Sequence, residues 1–256
     1  MSQVKTEPVF DYVHPSHQGP NSVHMTRVAV AELVAQAGHR LVLDLPAGTG
    51  ALTQLLLDRG IEVVSADLCP EGFVVPGRIC LQADLNERLP LESDRFDAMV
   101  CVEGIEHIEN PHLLAREAHR VLKAGGCLYV STPNVLSIRS RLSYLWRGYP
   151  DQFHYMIEVD PRTGEERPIA HINPVGFLEL RYVLSRWGFH VERVETNRRL
   201  KAGSPFYALL RRLMATKGGR AARSHERIAR VREMLLSTTL LYGETLIVVA
   251  TKAARS

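Results

Sequence analysis

Cysteine is scarce and unpatterned in this chain. Its four copies, Cys69, Cys80, Cys101 and Cys127, form no C-x-x-C pair, and three of them lie in or beside apolar runs. That argues against a zinc ribbon or a disulfide scaffold and for reduced, buried thiols. Long apolar runs are missing too: none approaches the roughly 20 residues of a membrane-spanning helix. The opening Met-Ser-Gln-Val-Lys-Thr-Glu-Pro has no apolar signal core, so a cytoplasmic protein is expected. At 256 residues the chain can bury a full core, as one large domain or one domain with an insertion.

Net charge is small, +3, but it is unevenly spread. Residues 198–232 hold eleven Lys or Arg and one acid, Glu226, so this segment is near +10 and the remainder near −7. Within it Phe206, Tyr207, Leu209, Leu210, Leu213 and Met214 sit beside Arg211, Arg212 and Lys217. A basic amphipathic stretch can lie on an anionic membrane surface or track nucleic-acid phosphates. It can also pack on its own domain with a solvated basic face. All three readings stay open. Nucleic acid ranks last, and peripheral contact with the inner membrane surface through 198–232 ranks ahead of it.

The most informative stretch is Leu41–Ala51. Leu41 to Leu45 is an apolar run of the kind that forms a fully buried parallel strand. A turn with Gly48 and Gly50 follows, and then helix-prone residues from Ala51 to Asp58. Glycines in such a loop let a ligand approach the backbone closely, and the helix start points free N–H groups at it. A second strand, Ile61 to Ala66, ends at Asp67, 23 positions after Asp44. That is near the spacing at which a ribose-binding acid follows a nucleotide-binding loop. A carboxylate accepts two hydrogen bonds, which suits a pair of ribose hydroxyls.

This stretch resembles motif I of the class I S-adenosylmethionine-dependent methyltransferases, with Asp67 as their ribose-binding acid. Dinucleotide oxidoreductases are the competing reading, but they require G-x-G-x-x-G, and the residue three after Gly50 is Thr53. The resemblance continues along the chain. Arg78 to Ala83 reads as a third strand ending in Asp84, where the family places an acid that reaches the adenine amino group. Asp94–Pro111 is similar to the S-F-D…E-x-x-E-H…P pattern of many small-molecule methyltransferases, and Val121–Asn134 to the family's turn and fifth strand. Residues 23–134 carry the resemblance densely and the rest loosely. It implies an α/β, doubly wound, Rossmann-like sheet of seven strands, mostly parallel with an antiparallel last strand. It implies S-adenosyl-L-methionine as cofactor, held by Asp44, Pro46, Ala47, Gly48, Gly50, Asp67, Leu68, Asp84, Leu85 and Glu103.

The expected organisation is a single domain over 1–256, with an N-terminal cap 1–37, a substrate lid 135–172 and the basic insertion 198–242. In the cap, Asn21 or Ser22 is placed to start a helix running to about Gln36, with Val23, Val30, Leu33 and Val34 on its apolar face. His14, His17 and His24 fall near the expected site mouth, as substrate contacts or as plain surface histidines. Residues 68–77 read as a loop. His112 to Leu122 reads as a helix closed by a glycine C-cap turn at Lys123–Gly126. The lid carries a helix over Ile138–Trp146 and otherwise reads as a long functional loop. A helix over 174–187, a strand over 190–196 and a final strand over Thr245–Ala250 follow, with roughly 45 residues between those strands.

A sulfonium-bound methyl is already activated, so catalysis rests mainly on positioning, and a hydroxyl acceptor needs a base. His107, Glu103 and His171 are the catalytic candidates, with Glu106 and His154 behind them. Glu103, Glu106, His107 and a downstream histidine, His171, also resemble the metal-binding set of small-RNA 3′-end ribose methyltransferases, and a metal would lower a hydroxyl pKa. The same residues can instead brace the helix that follows. No aromatic-plus-Asn-Pro-Pro-Tyr pattern follows strand four. O-methylation of a small-molecule, glycan or lipid-linked acceptor is therefore the expected reaction. A metal-assisted RNA ribose methyltransferase, a nucleotide-dependent oxidoreductase and a non-catalytic cofactor-binding module remain as alternatives.

Overall fold

The structure, a computed structural model, describes residues 20–153, 157–159, 164, 166–168, 171–200, 203–216 and 226–253. Its strands are β1 (Leu41–Asp44), β2 (Glu62–Asp67), β3 (Cys80–Gln82), β4 (Phe96–Val102), β5 (Leu122–Pro133), β6 (Ile157–Val159), β7 (Glu166–Pro168), β8 (Phe189–Glu195) and β9 (Thr245–Lys252). All but β6 and β7 join in a seven-stranded sheet of order β3-β2-β1-β4-β5-β9-β8. β1 to β5 pair in parallel, and β9 runs antiparallel to both β5 and β8. This is the doubly wound arrangement expected from the sequence. The sheet begins in its middle, moves out to β3 and returns to β4 on the other side of β1. The crevice between β1 and β4 is therefore the switch point at which such sheets bind ligands.

Both faces of the sheet are covered, so its central strands are apolar throughout; β4 is buried almost end to end. Successive residues serve opposite cores. Val42, Ala98 and Val100 face Val30 and Val34 of α1 (Pro20–Gln36) and Leu52 and Leu56 of α2 (Ala51–Leu57). Leu43, Met99 and Cys101 face α3 (Pro111–Val121) and, beyond the lid, α5 (Phe177–Arg186). Phe177, Leu180 and Leu184 lie at helical spacing on α5 and are almost wholly buried. Each such side chain contributes on the order of 2 kcal/mol.

Several local expectations are corrected. Lys123–Gly126 does not cap α3; the helix passes straight into β5. The four residues form a bulge, because Phe96 pairs with Leu122 while Ala98 pairs with Cys127. Lys123 Nζ lies 2.6 Å from Asp97, which also accepts from the backbone N–H groups of Arg40 and Leu41 at 3.0 Å. One carboxylate thus ties the bulge to the start of β1. Ser22 does not cap α1 but lies inside it. The third strand is shorter than Arg78–Ala83, and α5 starts only after Gly176. Of the cysteines, only Cys101 is buried, and Cys69 is exposed.

The segment 135–172, expected to be a lid, contains α4 (Ile138–Arg147), N-capped by Ser137, whose hydroxyl accepts from the Ser140 N–H at 3.1 Å. Part of what the sequence presents as loop is a hairpin, β6 against β7. His154 lies outside the described residues. The described residues of the basic insertion form α6 (Pro205–Thr216), α7 (Glu226–Leu235) and α8 (Thr238–Tyr242). No described helix is long and apolar enough to cross a membrane.

Glu244 clips the insertion to the rest. Its buried carboxylate accepts from the Arg198 guanidinium at 2.8 Å and from the Ser22 hydroxyl at 2.6 Å. Burial alone would raise its pKa, but these donors outweigh that and hold it low. The contact joins α1 to both ends of the insertion. Glu244→Ala is expected to lower unfolding free energy by about 2 kcal/mol, since it strands a part-buried guanidinium and a buried hydroxyl. Removing Glu195, the exposed partner of Arg193, should cost less than about 0.5 kcal/mol. Urea denaturation midpoints of the two variants check the contrast, and equal losses would contradict it.

Candidate active site

The site is built from strand ends. β1 ends in Asp44, β2 in Asp67 and β4 leads into Glu103, with Asp84 just beyond β3. A pocket of about 140 Å³ opens between β1 and β4, lined by Arg27, Pro46, Ala47, Gly48, Leu52, Val102 and Glu103.

Asp44 is completely buried, and Thr53 donates to one of its oxygens at 2.7 Å. The other oxygen has no hydrogen-bond partner. Burial pushes the Asp44 carboxyl up to about 7, against the pull of Thr53 and Arg27. Thr53 also meets the Ser65 hydroxyl at 2.9 Å. The position where a dinucleotide fold needs its third glycine is thus occupied by a hydroxyl that ties α2 to β1 and β2.

Asp67 holds the glycine loop. Its two oxygens accept from the backbone N–H of Gly48 at 2.7 Å and of Cys69 at 2.9 Å. Each oxygen keeps further accepting capacity on the solvent side. Asp84 accepts from the Asn86 N–H at 2.7 Å, which closes a turn. Leu85 lies in the core, whereas Leu68 is exposed beside Asp67. Of the residues expected to hold a cofactor, Pro46, Ala47, Gly48 and Glu103 line the pocket. Asp67, Leu68, Asp84 and Leu85 continue along the sheet edge.

The two loop glycines differ. Gly48, with φ of +54°, has open space where a Cβ would stand. Gly50, with φ of +86°, has Val75 Cγ2 at 2.3 Å and Phe73 at 2.7 Å from that point. Gly50 is therefore needed for packing against residues 73–75, not for ligand approach.

Arg27 belongs to no motif, and only the fold shows its place. It projects from α1 into the pocket, where burial lowers its pKa and Asp44 and Glu103 pull it back up. The sequence does carry a signal: Arg27 is four residues after Val23 and three before Val30, in the middle of an apolar stripe. Glu103 has a left-handed backbone, φ +52°, which a non-glycine residue rarely adopts. Its carboxylate accepts from the Ser131 hydroxyl at 2.8 Å.

Beyond Glu103, a single 3-10 turn, Ile105–His107, meets Ile172 and Asn173. Ile172 and Asn173 donate to the Glu106 carbonyl at 2.9 and 3.0 Å, which brings His171 against His107 with ring centroids 4.9 Å apart. His171 Nδ1 lies 3.1 Å from the Gln152 carbonyl. One ligand atom from each of Glu106, His107 and His171 lies within 4.8 Å of the others. Both Glu106 carboxylate oxygens are buried without a hydrogen bond of good geometry. Burial first, and the Glu103 charge second, push that carboxyl well above its ordinary value, against a weaker pull from the nearby Thr132 hydroxyl. Of the three catalytic candidates, His107 and His171 are therefore in contact, while Glu103 lines the pocket. His24 is exposed on α1, and His14 and His17 lie outside the described residues.

Gly50→Ala is expected to cost about 3 kcal/mol of stability through overpacking and a left-handed backbone. Gly48→Ala should cost only about 1 kcal/mol, from the backbone alone. Denaturation midpoints separate them, and a reversed order would refute the packing role given to Gly50.

Residues 43–130 match the family described as a methyltransferase domain. A demethylmenaquinone methyltransferase of Clavibacter sepedonicus is 32% identical over 148 residues, covering 51% of this chain and 60% of that protein. A ubiquinone biosynthesis O-methyltransferase of Xanthomonas campestris is 33% identical over 114 residues, covering 41% of this chain and 47% of that protein. The chain thus spans about half of the length of the curated relatives it matches. Among solved structures, a SAM-dependent methyltransferase from Archaeoglobus fulgidus aligns with a TM-score of 0.55 at 20% identity, over 88% of this chain and 94% of that one. Residues 43–130 are therefore a methyltransferase domain, and the chain has the fold of the class I S-adenosylmethionine-dependent methyltransferases.

Proposed function

We propose that this chain transfers a methyl group from S-adenosylmethionine to a hydroxyl of a small-molecule, glycan or lipid-linked acceptor. The observation that carries the reading is the buried Asp44 oxygen with no partner, beside Arg27 and Glu103 at the mouth of the β1–β4 crevice. S-adenosylmethionine supplies an electrophilic methyl on a positive sulfur, together with an ammonium, a carboxylate and a ribose diol. Asp44 would accept from the ammonium, Arg27 would pair with the carboxylate and Asp67 would accept from the ribose hydroxyls. Asp84 would stand beside the adenine. One imidazole of the His107–His171 pair would take the single proton of the acceptor hydroxyl, as its oxygen forms the new bond to carbon and the carbon–sulfur bond breaks. The Xanthomonas relative is named as an O-methyltransferase of ubiquinone biosynthesis, which supports oxygen as the acceptor atom. A membrane-borne acceptor would suit the basic segment 198–232.

A second reading adds a metal. The convergence of Glu106, His107 and His171, with both Glu106 oxygens buried and poorly satisfied, suits a divalent cation. Such an ion would lower the pKa of the acceptor hydroxyl. Glu103, which belongs to the set suggested by the resemblance to ribose methyltransferases, would serve the donor side instead.

Asp67→Ala is expected to weaken S-adenosylhomocysteine binding at least about tenfold by calorimetry; unchanged affinity would remove the donor assignment. Because the Asp44 carboxyl titrates at about 7, its ionised, ammonium-accepting form is lost below that pH. Affinity should rise with pH through 7 and level off above it. The limiting slope is about tenfold per unit, and Asp44→Asn should abolish the dependence. For turnover, the protein is incubated with methyl-labelled donor and cell extract. Label is expected in small organic-soluble or glycan products. Loss of labelling on chelation, restored by added divalent metal, would select the metal reading, while label in RNA would contradict the acceptor class.

A further inference from the structure

We propose that the last turn of α4 and the outer edge of α6 form one surface that docks on an anionic phospholipid bilayer. The two helices meet at a shared buried cluster. Ile138 of α4 and Tyr207 of α6 share a buried cluster with Leu241 and Tyr242, on which Leu142, Leu210 and Met214 pack. Arg141 of α4 reaches the Met214 sulfur of α6 at 3.9 Å.

What these helices leave outside is apolar. Trp146 is 75% exposed and Leu145 68%, with Tyr144 beside them, and Phe206, Leu209 and Leu213 are exposed on α6. On α6 the buried or packed residues Tyr207, Leu210 and Met214 and the exposed residues Phe206, Leu209 and Leu213 form adjacent stripes, so its apolar face is wider than its own domain covers. The end of α4 is more telling. Tyr144, Leu145 and Trp146 are consecutive, and helix geometry points them about 100° apart around the axis. Gly148, with φ of +81°, then stops the helix. A flat protein face can cover one or two of three such side chains. A deformable medium that surrounds the tip covers all three.

The charge selects the lipid. α4 carries Arg139, Arg141 and Arg147 and no acid, and α6 carries Arg211 and Arg212 and no acid. Arg139 is held by Asp151 at 2.9 Å, so Arg147 is the cation that the tip itself presents. Trp and Tyr favour the level of lipid headgroups, and Arg stems lie along apolar surface while the guanidinium stays at the phosphates. α4 belongs to the expected substrate lid, and that segment runs on to His171 in the catalytic cluster. Docking by α4 would therefore put the lid itself at the bilayer.

The surface can be tested without donor or acceptor, so its failure and the failure of the methyl-transfer reading are distinguishable. The chain has two tryptophans, Trp146 and Trp187. Trp187→Phe leaves Trp146 as the only indole; Trp187 donates to His112 and stacks with Arg116, away from the proposed surface. Vesicles of phosphatidylglycerol and phosphatidylcholine should shift the Trp146 emission to the blue, and brominated acyl chains should quench it. Leu145→Ser and the pair Arg147→Glu, Arg212→Glu should each reduce co-flotation with these vesicles at least about fivefold. Their thermal midpoints should be unchanged, because the altered side chains are exposed. Unshifted emission, an equal response to pure phosphatidylcholine, or a blue shift without lipid that tracks dimerisation would each overturn the proposal. The last would assign the surface to a second copy of this chain.

Discussion

A carboxylate buried with one satisfied oxygen and one unsatisfied oxygen is unfavourable at the end of a central strand. Asp44 is such a group, and much of the neighbouring structure is arranged around it. Thr53 takes the position a dinucleotide-binding loop gives to glycine and uses its hydroxyl to hold one Asp44 oxygen. Arg27 brings a cation into the same crevice from a helix that precedes the sheet in sequence. That helix is secured in turn by Ser22 on Glu244, and Glu244 is fixed by Arg198. The helix that brings Arg27 to the crevice is therefore anchored near its start to the base of the insertion.

At the end of β4 the roles divide by position. Glu103 faces the pocket, and three residues later Glu106 and His107 face the lid. The backbone of Ile172 and Asn173 docks on Glu106, so the segment 135–172 ends beside Glu106 and His107. Toward the other end of that segment lies α4, with its protruding aromatic turn. A single stretch of chain thus joins an exposed apolar tip to a buried cluster of titratable groups.

The sheet is legible in the sequence because its signals are local and strong. The apolar runs at 41–45 and 98–102 mark buried parallel strands, and Asp67 follows Asp44 at the spacing a ribose-binding acid takes. The glycine loop is legible as a loop but not in its reasons, because Gly50 answers to Phe73 and Val75, more than 20 residues away in sequence. Ser22 resembles a cap because a serine near a helix start commonly is one; its actual partner, Glu244, is 222 positions distant. Arg27 is readable in principle as a charge on an apolar stripe. The bulge at 123–126 depends on Asp97 and Lys123 across two strands, and the β6–β7 hairpin on pairing that polar sequence hardly marks. His107 and His171 can be nominated separately, but only the fold shows that they meet.

The most direct test of the central claim is a crystal structure of the protein with S-adenosylhomocysteine bound. The expected result places the ligand's amino nitrogen within hydrogen-bond distance of the unpartnered Asp44 oxygen, its carboxylate on Arg27 and its ribose hydroxyls on Asp67. A ligand bound elsewhere, or one in the crevice that leaves that Asp44 oxygen without a donor, would contradict it.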